Sequence, residues 1–284
     1  MDASALFTIL GWSAFVGVIF SAIGAAGGIL TSFGLITLFG IADPNTVKPM
    51  TQLIVLATTL AFVPRYLRWS AMVLPLSLLL GAGGLVGAYV GSTVSSLYLS
   101  DMQTFRPLFG ILTLGIAAQI VWKLTADLRA GAPKGEATPG PDGKGVALTG
   151  VIQMNLTFIY QSRQYRVPLW SPPVAGLIIA FTASVFGVGG GFLLVPYMAT
   201  VLGMPMHIIP ATAAVAIFMS LSVSISNFLV LGAPLDYDMI TPLMVGAVVG
   251  ARIGPHINKV LKNHWLQAAT AVIVFGIGLK YTFL

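Results

Sequence analysis

The chain has 284 residues, 57% of them apolar and only 8% charged, and a mean hydropathy of +0.93, which excludes an ordinary soluble domain. Cysteine is absent, which removes disulfides, thiolate metal sites and a cysteine nucleophile together. The net charge of +6 does not point to nucleic acid, because the basic residues stand singly or in pairs at the ends of apolar segments, where anionic lipid headgroups are their natural partners.

Apolar segments approaching the roughly 20 residues needed to cross a bilayer recur along the chain. They cover residues 4–23, 28–41, 49–64, 71–96 and 105–124, then, after an interruption, 173–186, 191–203, 208–231, 239–257 and 265–283. No strand-like alternation runs through them, so they are expected to be helices. The first begins MDASALF and has no basic residue before Lys48, unlike a signal peptide, and is expected to be retained as a span. The second segment of each set is short and follows a glycine turn, Gly24-Ala25-Ala26-Gly27-Gly28 and Gly187-Val188-Gly189-Gly190-Gly191, which predicts a broken helical hairpin in each. The third segments open on Pro49 and Pro210 in a first-turn position, with Thr51 and Thr212 just behind. The fourth carry Gly83, Gly87 and Gly91 or Gly246, Gly250 and Gly254, a spacing that predicts close helix packing. Gln52, Asn227 and Ser220, Ser222, Ser224 and Ser226 are polar within apolar segments, and hydrogen bonds between helices are their expected use.

The interruption has two parts. Residues 127–146 form a Gly/Pro/charge linker with no apolar face to bury. From Val151, apolar and polar residues alternate as far as Tyr160 and resume at Tyr165, which predicts a β-hairpin capping the bundle. The chain thus divides into a first membrane repeat (1–126), a cytoplasmic linker and hairpin (127–170) and a second membrane repeat (171–284).

At an offset of 163 residues Gly24, Gly27, Gly28, Gly83, Gly87 and Gly91 fall on Gly187, Gly190, Gly191, Gly246, Gly250 and Gly254. At 161, Pro49, Thr51 and Gly115 fall on Pro210, Thr212 and Gly276, which argues for duplication. The basic residues have swapped loops between the copies. Arg65 and Arg68 mark the third-to-fourth connection of the first half, whose counterpart carries Asp236 and Asp238; in the second half Arg252, Lys259 and Lys262 mark the fourth-to-fifth connection instead. Placing the basic connections and the linker in the cytoplasm leaves only Lys48, Arg106 and Lys280 of the 14 basic residues outside, with both termini facing outward. The expected fold is therefore an all-α polytopic membrane protein of two inverted repeats, the architecture of secondary transporters.

Residues that could carry chemistry are few. There is no Walker A pattern; His207, His256 and His264 lie near span ends without metal-ligand spacing; all eight acidic residues fall in loops or at span ends. Neither a cofactor nor a buried proton relay is called for. The glycine turns are the best candidates, because successive backbone N–H groups at a helix start make a concave nest that prefers anions. The candidate site residues are Gly24, Gly27 and Gly28, Gly187, Gly189, Gly190 and Gly191, with Phe192 after them. Thr51 and Thr212 could add donors, and Lys48 and Arg252 could complement an anion's charge.

The run Phe186-Gly-Val-Gly-Gly-Gly-Phe-Leu-Leu-Val-Pro196, its echo at Gly24 to Leu30, and the later Gly-x-x-x-Gly-Ala-x-x-Gly runs resemble the sulfite exporter TauE/SafE family of bacterial membrane proteins. The likeness covers both halves; Ala25 and Ala26 depart from the fuller glycine pattern of the second turn. It implies a carrier of the bacterial cytoplasmic membrane that exports sulfite or sulfonates such as sulfoacetate or isethionate, with lipid as its surroundings and no nucleic acid partner. An anion channel of the same architecture, an intramembrane enzyme built on Arg252 and His256, and a structural subunit are the competing readings. The oligomeric state is open.

Overall fold

Several helix starts in this chain are set by proline or aspartate. Asp43 accepts the Asn45 amide at 3.0 Å and the Thr46 hydroxyl at 2.6 Å, with Pro44 directly behind it at the first helical position. The third segment therefore begins at Pro44, and Pro49 lies in its second turn rather than its first, a correction to the boundary expected from hydropathy. Asp236 caps a later helix in the same way, accepting the Met239 amide at 3.0 Å.

The computed structural model describes residues 3–23, 26–67, 72–129, 147–152, 154–160, 163–205, 208–260 and 263–283. The first half contains α1 (Ala3–Ile23), α2 (Gly27–Phe33) continuing as a π-helix (Gly34–Leu38), α3 (Pro44–Leu67), α4 (Leu74–Tyr98) and α5 (Met102–Arg129). Strands β1 (Ala147–Ile152), β2 (Asn155–Tyr160) and β3 (Arg163–Pro168) follow. The second half repeats the order with α6 (Ser171–Phe186), α7 (Gly191–Pro196) continuing as a π-helix (Tyr197–Val201), α8 (Ile209–Val230), α9 (Tyr237–Val260) and α10 (Asn263–Phe283). Among the described residues α1, α4, α5 and α8 are long and apolar enough to cross a membrane.

The repeat extends to backbone conformation. Each π-helix is closed by the same pair of bonds, Phe39 N–H to Gly34 O and Ile41 N–H to Leu35 O in one half, Leu202 N–H to Tyr197 O and Met204 N–H to Met198 O in the other. Each is followed by a left-handed glycine, Gly40 at φ 72° and Gly203 at φ 61°. All of these are 163 residues apart.

Glycine contacts give the relative directions of the helices. Side chains added at Gly83, Gly87 and Gly91 of α4 would strike the carbonyls of Pro173, Leu177 and Phe181 of α6, so the two numberings rise together and the helices run parallel. In the same way Gly246, Gly250 and Gly254 of α9 rest on the carbonyls of Leu10, Ala14 and Val18 of α1, also parallel. The packing expected of these glycine runs is what they do, and its partner is in each case the first helix of the other half. Helix α8 is parallel to α4 as well, because Gly81 and Gly84 meet Met219 and Ser220 while Asn227 Nδ2 donates to Ser92 Oγ at 2.8 Å and Thr93 Oγ1 at 2.9 Å. In contrast α5 and α10 are antiparallel, Gly110 abutting Thr282 and Gly278 abutting Leu114.

A reversal follows. Since α6 and α8 both run parallel to α4, the segment Gly191–Val201 between them runs the opposite way, and at 1.5 Å per residue it is only about 16 Å long.

The insertion is an antiparallel three-stranded sheet in the order β1-β2-β3, not the two-stranded hairpin expected. Met154, at φ 60°, turns the chain between β1 and β2 and splits what reads in sequence as one alternating run. Leu156, Phe158, Tyr160 and Val167 on its inner face join Val73, Leu76, Met204 and Ile208 in one buried cluster, so the sheet caps the ends of α4 and α8. The linker at 130–146 lies outside the described residues, as do Gly24, Arg68, His207 and Lys262; the side chains of Arg65, His256, Lys259 and His264 are likewise not described.

Candidate functional site

The second glycine turn is built by two left-handed residues, Gly187 at φ 72° and Gly189 at φ 76°, a conformation that costs other residues about 1–2 kcal/mol. Gly187 closes α6, its amide and that of Val188 both bonding to Ala183 O. The chain then turns into α7, whose first intrahelical acceptor is Gly190 O. Among the described residues the amides of Gly189, Gly190, Gly191 and Phe192 have no acceptor. Four adjacent donors at the start of a helix suit an anion.

In the first half Ala26 occupies the position of Gly189 and adopts the same left-handed backbone, φ 66°, without being glycine. The two turns touch: Gly28 lies so close to the Val188 carbonyl that any side chain there would overlap it. Around this contact Ala26, Gly27, Gly28, Gly189, Gly191 and Phe192 line a cavity of about 10 Å³ together with Phe20 and Val55. A second cavity, of about 20 Å³, is lined by Gly190 together with Ser184 of α6 and Ser220 of α8. Both are far below the size of a ligand site, so the turns are seen closed upon each other.

The structure thus brings together Gly27, Gly28, Gly189, Gly190, Gly191 and Phe192, and the remaining candidates fare differently. Gly187 packs directly on the backbone and stem of Lys48. Lys48 is wholly buried, but its ammonium turns from the turn to the end of α4, donating to Leu99 O at 2.7 Å, Ser95 O at 3.3 Å and Asn45 Oδ1 at 3.4 Å, with Phe105 5.2 Å away. It satisfies a helix C-terminus, which carries partial negative charge. Thr51 pairs with Ser32 at 3.1 Å and so ties α3 to α2. The Thr212 hydroxyl donates to Ile208 O at 2.7 Å and accepts the Val73 amide at 3.1 Å, which anchors the start of α4. Arg252 is exposed on α9 and lines neither cavity. Gly24 lies outside the described residues.

Three polar side chains were given the wrong use by sequence reasoning. Asn227 does bridge helices as expected, but Gln52 and Ser224 are buried with no hydrogen-bond partner, and Ser220 bonds back to Ala216 O of its own helix at 2.8 Å.

A family model, described as sulfite exporter TauE/SafE, matches residues 9–281. The chain belongs to the sulfite exporter TauE/SafE family. Both repeats and the intervening sheet fall within the family match. A curated relative from Bacillus subtilis (strain 168), named "Probable membrane transporter protein YunE", is 25% identical over 270 residues, covering 92% of each chain. No solved structure matches. A TauE/SafE member with these helices is a multi-pass membrane protein, and its family and relative are those of membrane transporters.

Proposed function

We propose that the protein is a secondary transporter that exports small sulfur-containing anions, sulfite or sulfonates such as sulfoacetate and isethionate, across the bacterial cytoplasmic membrane. The observation that carries this reading is the contact of Gly28 with Val188, where two equivalent turns meet and one of them presents four unpaired amides. Neutral donors in an apolar setting, walled by Phe20, Val55 and Phe192, suit a small anion of low charge.

The repeats are taken as inverted, which the antiparallel pairing of equivalent helices α5 and α10 supports along with the swapped basic loops. On that reading equivalent turns in contact lie about the symmetry axis, at the bilayer midplane. A segment of about 16 Å cannot cross roughly 30 Å of hydrocarbon, so each glycine-turn hairpin dips in and returns. The α1–α9 and α4–α6 pairs, each sealed by glycine-to-carbonyl contacts, are then the rigid bodies that rock about the turns to expose the site to one side and the other.

Export needs no coupling acid. A monoanion leaving an inside-negative cell gains about 2.3 kcal/mol per 100 mV, roughly a fiftyfold gradient. Liposomes holding the purified chain and loaded with sulfite should release it faster under an imposed potential that is negative inside, with a rate that saturates. Release indifferent to potential removes the uniport mechanism, and a current that does not saturate marks a channel.

A further inference from the structure

Among the described residues the buried side-chain polar atoms without a partner are Trp12 Nε1, Ser224 Oγ and both ends of the Gln52 amide, Nε2 and Oε1. Gln52 is the most demanding of them. It is 0% exposed, and an amide carries two donors and an acceptor, all of which lose water on burial. The buried amide of Asn227, by contrast, is used: its Nδ2 reaches Tyr89 O, Ser92 Oγ and Thr93 Oγ1. At an offset of 161 the second repeat has Ala213 where the first has Gln52, so the fold does not need an amide at this position.

The register of α3 shows what lies alongside. Lys48, one turn earlier, rests against Gly187, and Val55, one turn later, rests against Gly189. Residues four before and three after share a helix face with Gln52, so it stands on the stripe of α3 that follows the second glycine turn. The amides of Gly189 to Phe192, which also lack acceptors, belong to that same turn. Gln52 and the turn therefore stand alongside each other, and one explanation serves the unpaired donors of both: a ligand rich in acceptors that is shared between them.

We propose that Gln52 is a specificity-determining ligand of the transported anion. Its Nε2 donates to an oxygen of an anion held at the Gly187–Gly191 turn, and its Oε1 accepts from the water or acidic hydrogen that accompanies that anion. A carboxamide adds donors without adding charge, so the bound anion is held firmly enough to be selected and loosely enough to leave. This inference rests on the transport reading above.

The test uses the full chain in liposomes with sulfite as the probe, and the variants Gln52→Met and Gln52→Glu. Loss of one hydrogen bond to a charged ligand raises the sulfite KM about 10- to 100-fold in Gln52→Met. The melting temperature of that variant equals or exceeds the wild-type value, because no bond within the protein is lost. Gln52→Glu, an acceptor bearing negative charge, abolishes saturable flux. A KM within about twofold of wild type in Gln52→Met, or a fall in its melting temperature with KM unchanged, overturns the proposal and makes Gln52 structural. Wild-type protein that carries no sulfite sinks the transport reading instead. Gln52 is then decided by thermal shift: sulfite or isethionate must raise the melting temperature of the wild type and not of Gln52→Met, and any other pattern overturns the proposal.

Discussion

Ala26 holds a backbone conformation, φ 66°, that glycine holds at the equivalent position of the other turn. A left-handed alanine costs about 1–2 kcal/mol, partly offset because glycine has more freedom to lose on folding. Ala26→Gly is therefore expected to stabilise the protein by about 0.5–1 kcal/mol, measured as a shift in reversible unfolding in detergent. An unchanged or lower stability would mean that the methyl group's packing, 2% exposed among Phe20 and Ile29, outweighs the strain. The glycine turns themselves were legible in the sequence because glycine at a helix break has few other uses. The roles of Lys48, Thr51 and Thr212 were not. Residue type and position in a span show that a polar group is buried, but not whether it is satisfied, and in each of these three the acceptor or donor comes from another element or another turn. Gln52 carries the converse lesson, since an amide that reads as helix glue turns out to hold nothing.

At the scale of elements, α4 and α6 approach so closely that Gly87 lies on the Leu177 carbonyl. No hydrophobic drive separates a leucine from lipid, so such an interface is held by close packing of backbone on backbone. Gly87→Leu is expected to part the two helices and cost about 3 kcal/mol, seen as a lower melting temperature in detergent. Gly115→Leu, at a site with nothing within 4 Å, should leave it unchanged. Equal losses in both would show that the glycine run is not a seam. Hydropathy and glycine spacing located these helices well, yet gave no hint that the short segments end in π-helices. Those depend on hydrogen bonds shifted by one residue along the chain, to which composition is blind. Strand β1 was missed for a related reason: its alternation runs on into β2, and the Met154 turn between them lacks the glycine or asparagine that usually marks one.

For the whole molecule, inversion makes a prediction about sidedness. The chain has no cysteine, so single cysteines can be introduced into a clean background. Asp101→Cys and Asp236→Cys, both exposed in helix connections of opposite halves, should react with an impermeant thiol reagent in intact cells, and Gln164→Cys on β3 only after permeabilisation. Asp101 and Asp236 labelled from opposite sides would end the inverted assignment. The duplication was plain in the sequence, and the structure deepens it to matching φ angles and hydrogen bonds.

The match between halves is also incomplete at the place where they meet. If two inverted copies were identical, the conformations open to either face would be the same shape turned over, with equal energies. Ala26 opposite Gly189, and Gln52 opposite Ala213, break that equality. A carrier with this asymmetry binds its cargo with unequal strength from its two faces and spends unequal time waiting at each. In the uniport proposed above, the gradient finally reached is set by the membrane potential alone. On that proposal the direction of net flow is a property of the cell, while the concentration at which each face saturates depends on one alanine and one glutamine.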